Sequence, residues 1–289
     1  MYLPDFEYYG PEGVAEACRL LAGFGARAKL LAGGTDLLHK MKKRELKPEI
    51  IISLNRIDQL KSISYQEDRG IVIGARATHN EIAKSSLLQQ RYLSICEAAH
   101  HMANNQIRNT GTVGGNIVNA VPSADLPPIL IALGATIKLE STRDQRILPL
   151  EEFHTGVHQS VIAPDEILTE IVVPDQGMTG SAYIRFGLRR SGALAVAGVA
   201  VAVKMEGDVC REARIALGAA GPVPMRAGKA EVLLVNKVIN EALLEEVGKA
   251  AARECNPRSS IRGSEEYRRN LVRVLTRRAL QKAVNEGHV

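Results

Sequence analysis

The chain lacks the patterns that announce the commonest chemistries. Its four cysteines, Cys18, Cys96, Cys210 and Cys255, stand far apart and form no CxxC. That excludes a zinc or iron–sulfur ligand cluster on this chain and predicts reduced core thiols in a cytoplasmic protein. There is no GxGxxG and no P-loop lysine. The longest apolar run, Ala193 to Val203, falls far short of the ~20 residues a membrane helix needs, which excludes membrane insertion. The opening "MYLPDFEYYGPEG" has neither the basic start nor the apolar core of a signal peptide. No repeat of 20–50 residues and no low-complexity segment occurs. The seven histidines do not cluster at ligand spacing, and His100–His101, adjacent on a helix, point in different directions. With no triad, metal-ligand spacing or acid–base pair, any chemistry falls to a bound cofactor.

What is present is an ordinary soluble composition. The 289 residues, 45% apolar and 24% charged, suffice for a full core and two or more domains. The formal charge is +5, with much of the excess in residues 253–280. Nucleic-acid binding would bring stacking aromatics, and that stretch has only Tyr267, so it reads as a solvated or partner-facing helix.

Val14, Ala17, Cys18 and Leu21 recur at helical spacing; "AKLLA", "PEIIISL" (48–54) and "GIVIGA" (70–75) read as strands. Thr78 and Glu81 have the spacing of a capping box opening a short helix. Residues 87–103 read as one helix with Leu88, Tyr92, Ile95 and Ala99 on one side. Asp125 is placed to cap a helix that has Pro127 and Pro128 in its first turn and Gly134 at its end. "ATIKLESTRDQRILPL" reads as a hairpin and "EILTEIVVP" as a strand ended by Pro174. Beyond a break near 176, three strands precede three helical segments, roughly 226–235, 240–254 and 264–284, the last capped by Ser264. Strands first and helices after indicate an α+β domain.

Two Gly–Gly segments stand about eighty residues apart: "LLAGGTDLL" and "TGTVGGN". Each can be a tight turn. Together, with the hydroxyls of Thr35, Thr110 and Thr112, they suit one anionic ligand such as a diphosphate held by backbone N–H groups. Asp125 has two readings, helix cap or acceptor for ribose or ribityl hydroxyls.

At these residues the sequence resembles the FAD-binding medium subunit of the molybdenum hydroxylases, the xanthine dehydrogenase and carbon monoxide dehydrogenase group. The resemblance covers essentially the whole chain and rests on "LLAGGTDLL" (30–38), "IRNTGTVGGNIVNAVPSADL" (107–126), "DEILTEIVVP" (165–174) and "GSEEYRRNLVRVLTRRAL" (263–280). It implies an FAD-binding domain of the vanillyl alcohol oxidase type over 1–176, in subdomains of about 1–56 and 57–176. A small α+β domain with a three-stranded sheet and helices follows over 177–289. Lys29, Leu30, Leu31, Ala32, Gly33, Gly34, Thr35 and Asp36 would form the first phosphate loop; Thr112, Val113, Gly114, Gly115 and Asn116 the second. By the same resemblance Asp125 holds FAD hydroxyls, Leu168 lines the flavin or adenine pocket, and Arg185 lies near the flavin ring. Met102 falls where some relatives place an aromatic against the isoalloxazine, and Ala193 in "RRSGALAV" where an Asp often stands.

Relatives that attach flavin covalently use a histidine in the first loop. Thr35 and Asp36 stand there in this chain, so the FAD is expected to be non-covalent. The scattered cysteines argue against the hydroxybenzoyl-CoA reductase branch, with its additional iron–sulfur cluster. The implied function is electron transfer: a large subunit holds the molybdenum cofactor, a small subunit with [2Fe–2S] clusters relays electrons, and FAD on this chain passes them to an external acceptor. A hetero-oligomer follows, with a dimer of heterotrimers as one arrangement. Arg268 and Arg269 on the basic face are candidate docking residues. The alternatives are a free-standing FAD oxidase or reductase of the same fold, and a non-enzymatic nucleotide-binding module.

Overall fold

The computed structural model describes residues 2–189 and 191–286; Arg190 of the "RRSGALAV" segment lies outside them. The chain opens with a small parallel sheet, β1 (Glu7–Tyr9), β2 (Ala28–Leu31) and β3 (Ile50–Ser53), in the order β1-β3-β2. Two helices make the parallel connections, α1 (Val14–Phe24) and α2 (Leu37–Lys42). The helical spacing of Val14, Ala17, Cys18 and Leu21 turns all four against β3, whose isoleucines are buried.

An antiparallel five-stranded sheet follows, in the order β4-β5-β10-β6-β7. Its first hairpin is β4 (Ile63–Gln66) and β5 (Gly70–Gly74). Six short helices come next: α3 (His79–Lys84), α4 (Ser86–Arg91), α5 (Leu93–His101), α6 (Asn105–Thr110), α7 (Val113–Val118) and α8 (Leu126–Ala132). The expected single helix over 87–103 is therefore two, α4 and α5, broken at Tyr92, where φ −147° and ψ 68° leave the helical region. The Thr78–Glu81 capping box is formed in both directions. "TGTVGGN" is not a loop: Val113 to Val118 are helical, with Gly114 and Gly115 in the first turn. The sheet is completed by the hairpin β6 (Thr136–Glu140) and β7 (Gln145–Pro149) and, after the small ribbon β8 (His154–Gly156) and β9 (Gln159–Ser160), by β10 (Ile167–Val173).

The last sheet has five strands, not the three expected: β11 (Gly180–Phe186), β12 (Ala197–Glu206), β13 (Val209–Gly218), β14 (Met225–Arg226) and β15 (Lys237–Val238). The two additional strands are two residues each and pair with opposite ends of β13, too short to leave a periodic trace. Helices α9 (Gly228–Val232), α10 (Glu241–Glu254) and α11 (Glu265–Glu286) cover one face, and Ser264 caps α11 by accepting from Tyr267 N–H at 3.1 Å.

Strand alternation joins the two halves. Along β12, Val199, Val201 and Val203 pack towards α10 and α11, whereas Ala200 and Ala202 face the core of the preceding sheet. Small residues on that face let α5 and α8 lie against the strands; a Cβ on Gly218 would meet Pro128 Cγ at 2.7 Å. Tyr183 of β11 enters the same core, Ser94 and Ser181 share a buried hydrogen bond of 2.7 Å, and Lys282 pairs with Glu97 at 2.6 Å.

The structure removes Arg268 from the expected docking face and leaves Arg269 half-buried. Arg268 is buried and donates to the Val196 carbonyl (2.6 Å) and Ser260 Oγ (2.8 Å). Arg269 donates to the carbonyls of Ala252 (3.2 Å) and Cys255 (2.7 Å) and pairs with Glu265. Both tie α11 to its surroundings. All four cysteines are buried free thiols.

Candidate functional site

A cavity of about 570 Å³ runs between the parallel sheet and the helical layer, bordered at one end by Gly192, Ala193 and Leu194 of the segment between β11 and β12. Both glycine segments border it. Of the residues expected around a cofactor, Lys29, Leu30, Ala32, Gly33, Gly34, Thr35, Asp36, Met102, Thr112, Gly114, Gly115, Asn116, Asp125 and Leu168 line its wall. Leu31, Val113 and Arg185 do not: Val113 is fully buried in the core, and Arg185 stands behind the wall.

The two segments contribute in different ways. Between β2 and α2 the chain turns through Gly34, at φ +71°, a conformation that suits glycine. Through this turn the backbone N–H groups of Gly33, Gly34, Thr35 and Asp36 donate to no group among the described residues. Four consecutive free donors before a helix form an amide concavity of the kind that holds anions. In the second segment the donors are already engaged. Val113 N–H donates to Ala77 O (3.0 Å), Gly114 N–H to Ala75 O (2.8 Å) and Gly115 N–H to the capping Thr112 Oγ1 (3.1 Å). It offers the cavity a smooth surface instead, with Gly115 exposed.

The glycines also bring the segments together. A Cβ on Gly33 would stand 2.0 Å from the Thr110 carbonyl oxygen and 3.0 Å from Gly111 Cα. What approaches Gly33 is the other segment's backbone. A Cβ on Gly115, by contrast, would meet only Thr112 Oγ1, at 3.0 Å, on the cavity side.

Asp125 forms the acidic wall. It occupies the residue before α8, but its side chain makes no cap bond; Pro127 and Pro128 supply the first turn, where missing donors cost nothing. Its carboxylate accepts from Tyr183 Oη at 2.8 Å and pairs with Arg185 at 3.4 Å. Burial pushes Asp125 up to about 6, against the opposing pull of the Arg185 charge and the Tyr183 hydrogen bond. Arg185 donates to His101 O (2.8 Å) and to Ala193 O. It thereby fastens the end of α5, the start of α8 and the 187–196 segment around one point. Gly192 N–H donates to Ala103 O at 2.9 Å, and Met102, Ala103, Ala193 and Leu194 form the cavity rim.

Three contributors are not marked in the sequence. Tyr183 is one apolar-strand aromatic among several, and Arg76 is one basic residue among many. His79, the first residue of α3, is buried and lines the cavity, and burial, with the nearby Arg108 charge, pushes it down to about 4. A lone histidine behind a capping threonine carries no signal of this. Two buried polar atoms of lining residues, His79 Nδ1 and Asn116 Oδ1, have no partner among the described residues. Among those residues no cluster of three or more His, Cys, Asp or Glu could hold a metal ion, and no helix is long and apolar enough to cross a membrane.

Residues 4–176 match the FAD binding domain in molybdopterin dehydrogenase, and residues 182–283 the CO dehydrogenase flavoprotein C-terminal domain. The carbon monoxide dehydrogenase medium chain of Hydrogenophaga pseudoflava is 36% identical over 285 residues, covering 98% of each chain. The xanthine dehydrogenase FAD-binding subunit of Escherichia coli O157:H7 is 32% identical over 283 residues, covering 97% of each. The structure superposes with a TM-score of 0.94, at 35% identity and 99% coverage of both chains, on carbon monoxide dehydrogenase from H. pseudoflava lacking the Mo-pyranopterin moiety of the molybdenum cofactor. With both domains matched in order and relatives of more than 30% identity aligned over nearly the whole of each chain, the chain belongs to the FAD-binding medium subunits of the molybdopterin dehydrogenases and is the flavoprotein subunit of an oxidoreductase.

Proposed function

We propose that the cavity holds FAD without a covalent bond, and that the chain relays electrons within a complex whose other subunits carry the molybdenum cofactor and [2Fe–2S] clusters. The observation that carries this reading is the run of four free amides from Gly33 to Asp36 opening onto the cavity. In it the diphosphate lies on those amides, the surface of Gly115 and Thr112 closes over it, and Asp125 accepts from the hydroxyls of the ribityl chain or ribose. The ring system is taken up at the rim formed by Met102, Leu168 and Leu194. Thr35 and Asp36 occupy the first segment and offer no nucleophilic ring nitrogen for a covalent link. Bound flavin supplies the interconversion of one- and two-electron transfer.

The protein's own part is positional. Tyr183 and Arg185 hold the Asp125 carboxylate in one orientation. The Gly33–Thr110 seam fixes the spacing of the two segments, and the rim segments limit access of water. An acid–base pair is not needed for electron relay, and both neighbours of Asp125 are committed to holding it. The test is a visible spectrum of the purified full chain, before and after acid precipitation, with mass analysis of the supernatant. Release of intact FAD is expected. A colourless chain that takes up no added FAD would overturn the reading, and flavin remaining on the precipitate would overturn its non-covalent part.

A further inference from the structure

His79 is the buried titratable group that the cofactor reading leaves without a task. It is 1% exposed, yet its side chain makes no hydrogen bond to any described residue. The buried atom without a partner is Nδ1, and Nε2 makes no hydrogen bond to a described residue either; on a ring that lines the cavity, Nε2 is the atom left for a partner from outside the protein. The ring's position is defined by its neighbours. The His79 backbone N–H donates to Gly111 O at 3.1 Å, and a Cβ on Gly111 would stand 3.2 Å from Cδ2 and 3.5 Å from Nε2. The Nε2 edge therefore abuts Gly111, and Gly111 is the residue that Gly33 packs against. Nδ1 is sealed in the protein on the other side.

Resting on the FAD reading above, we propose that His79 donates a hydrogen bond from Nε2–H to the diphosphate of the bound dinucleotide, beside the amides of Gly33 to Asp36. The tautomer follows from the geometry. A sealed N–H without an acceptor is rarer and costlier than a sealed lone pair, so the proton sits on Nε2 and Nδ1 keeps the lone pair. In the flavin-free chain, burial and the Arg108 charge push the ring down to about 4, so it meets the ligand uncharged at neutral pH, as a directional donor. Asn116, whose Oδ1 is also unpaired, sits on the same wall, but its amide oxygen and nitrogen are interchangeable by a flip, so it carries less of the argument.

The test uses the full chain stripped of flavin and titrated with FAD, alongside His79→Leu and His79→Gln, with far-UV circular dichroism to check folding. Leucine fills similar space without a donor, and glutamine restores an N–H at nearly the same reach. His79→Leu is expected to weaken FAD binding about 10- to 100-fold, as for a hydrogen bond to a charged group, and His79→Gln to recover most of the loss. The ³¹P resonances of FAD bound at saturation should differ between wild type and His79→Leu. Equal FAD affinity in wild type and His79→Leu overturns the inference while leaving the cofactor reading intact, as do identical ³¹P resonances. Failure of the wild-type chain to take up FAD overturns both. If His79→Leu does not fold, ¹⁵N-histidine spectra of the wild type decide. A protonated Nε2 whose resonance moves on FAD addition supports the inference, and an Nε2 resonance that does not move overturns it.

Discussion

The two glycine pairs divide their work residue by residue. Gly33 faces the Thr110 carbonyl at a distance no Cβ tolerates, so Gly33→Ala forces the two segments apart and is expected to lower the thermal midpoint as well as FAD retention. A Cβ on Gly115 meets no backbone and only the Thr112 hydroxyl, a side-chain atom that needs to give by a few tenths of an ångström, so Gly115→Val should lower the melting midpoint much less than Gly33→Ala while FAD retention is lost. A Gly33→Ala chain that melts like wild type would remove the seam from the account. Asp125 gives a prediction in pH. Its folded value of about 6 lies above the ~3.9 of an unfolded aspartate, so the folded state holds the proton more tightly. Its contribution is complete below the unfolded value and lost as pH rises through the folded one. Urea unfolding of the flavin-free chain should therefore show stability falling by up to about 3 kcal/mol between pH 4 and 6 from this group. Asp125→Asn should flatten that slope, and an unchanged slope would remove Asp125 as its source. That Asp125 lies at the site is legible in the motif; that its side chain turns from the helix end to Tyr183 is not, because the partner lies 58 positions away.

Elements with long apolar runs or local chemistry are the legible ones. The isoleucines of β3, the alternation of β6, the capping box at α3 and the Ser264 cap of α11 all follow from neighbours within four residues. Helices α2, α6 and α7, six residues each, are too short for a period to register. In α7 the glycines argue against a helix by propensity, and the Thr112 cap with the docking of Val113 and Gly114 onto Ala77 and Ala75 overrides them. The basic run of α11 reads as surface in sequence, yet Arg268 is buried among acceptors. Arg268→Glu is expected to cost about 2–4 kcal/mol by chemical denaturation, whereas Arg278→Glu at an exposed position of the same helix should stay within about 0.5 kcal/mol. Equal effects would mean that the Arg268 bonds to Val196 and Ser260 contribute nothing.

At the scale of the whole molecule, the last sheet completes the core of the part before it, and the segment joining β11 to β12 borders its cavity. Tyr183, Ala200, Ala202 and Ala216 belong to the same apolar cluster as α5 and α8. A fragment ending at residue 176 would expose that face and release Asp125 from Tyr183 and Arg185. It is expected to be poorly soluble or to hold FAD far more weakly than the full chain, checked by gel filtration and flavin fluorescence. A soluble fragment with full affinity would show the last sheet to be dispensable for the site.

The clamp on Asp125 also orders events in time. Synthesis runs from the N-terminus, and domains fold as they emerge. The turn at Gly33 and the helix at Thr112 leave the ribosome before Tyr183 and Arg185 exist. The surfaces assigned here to the diphosphate are thus translated before the two side chains that orient the carboxylate at the far wall. If the diphosphate lies on those amides and Asp125 holds the hydroxyls, a cofactor arriving early would meet a half-built berth, and its firm capture would belong to the last stage of the chain's maturation.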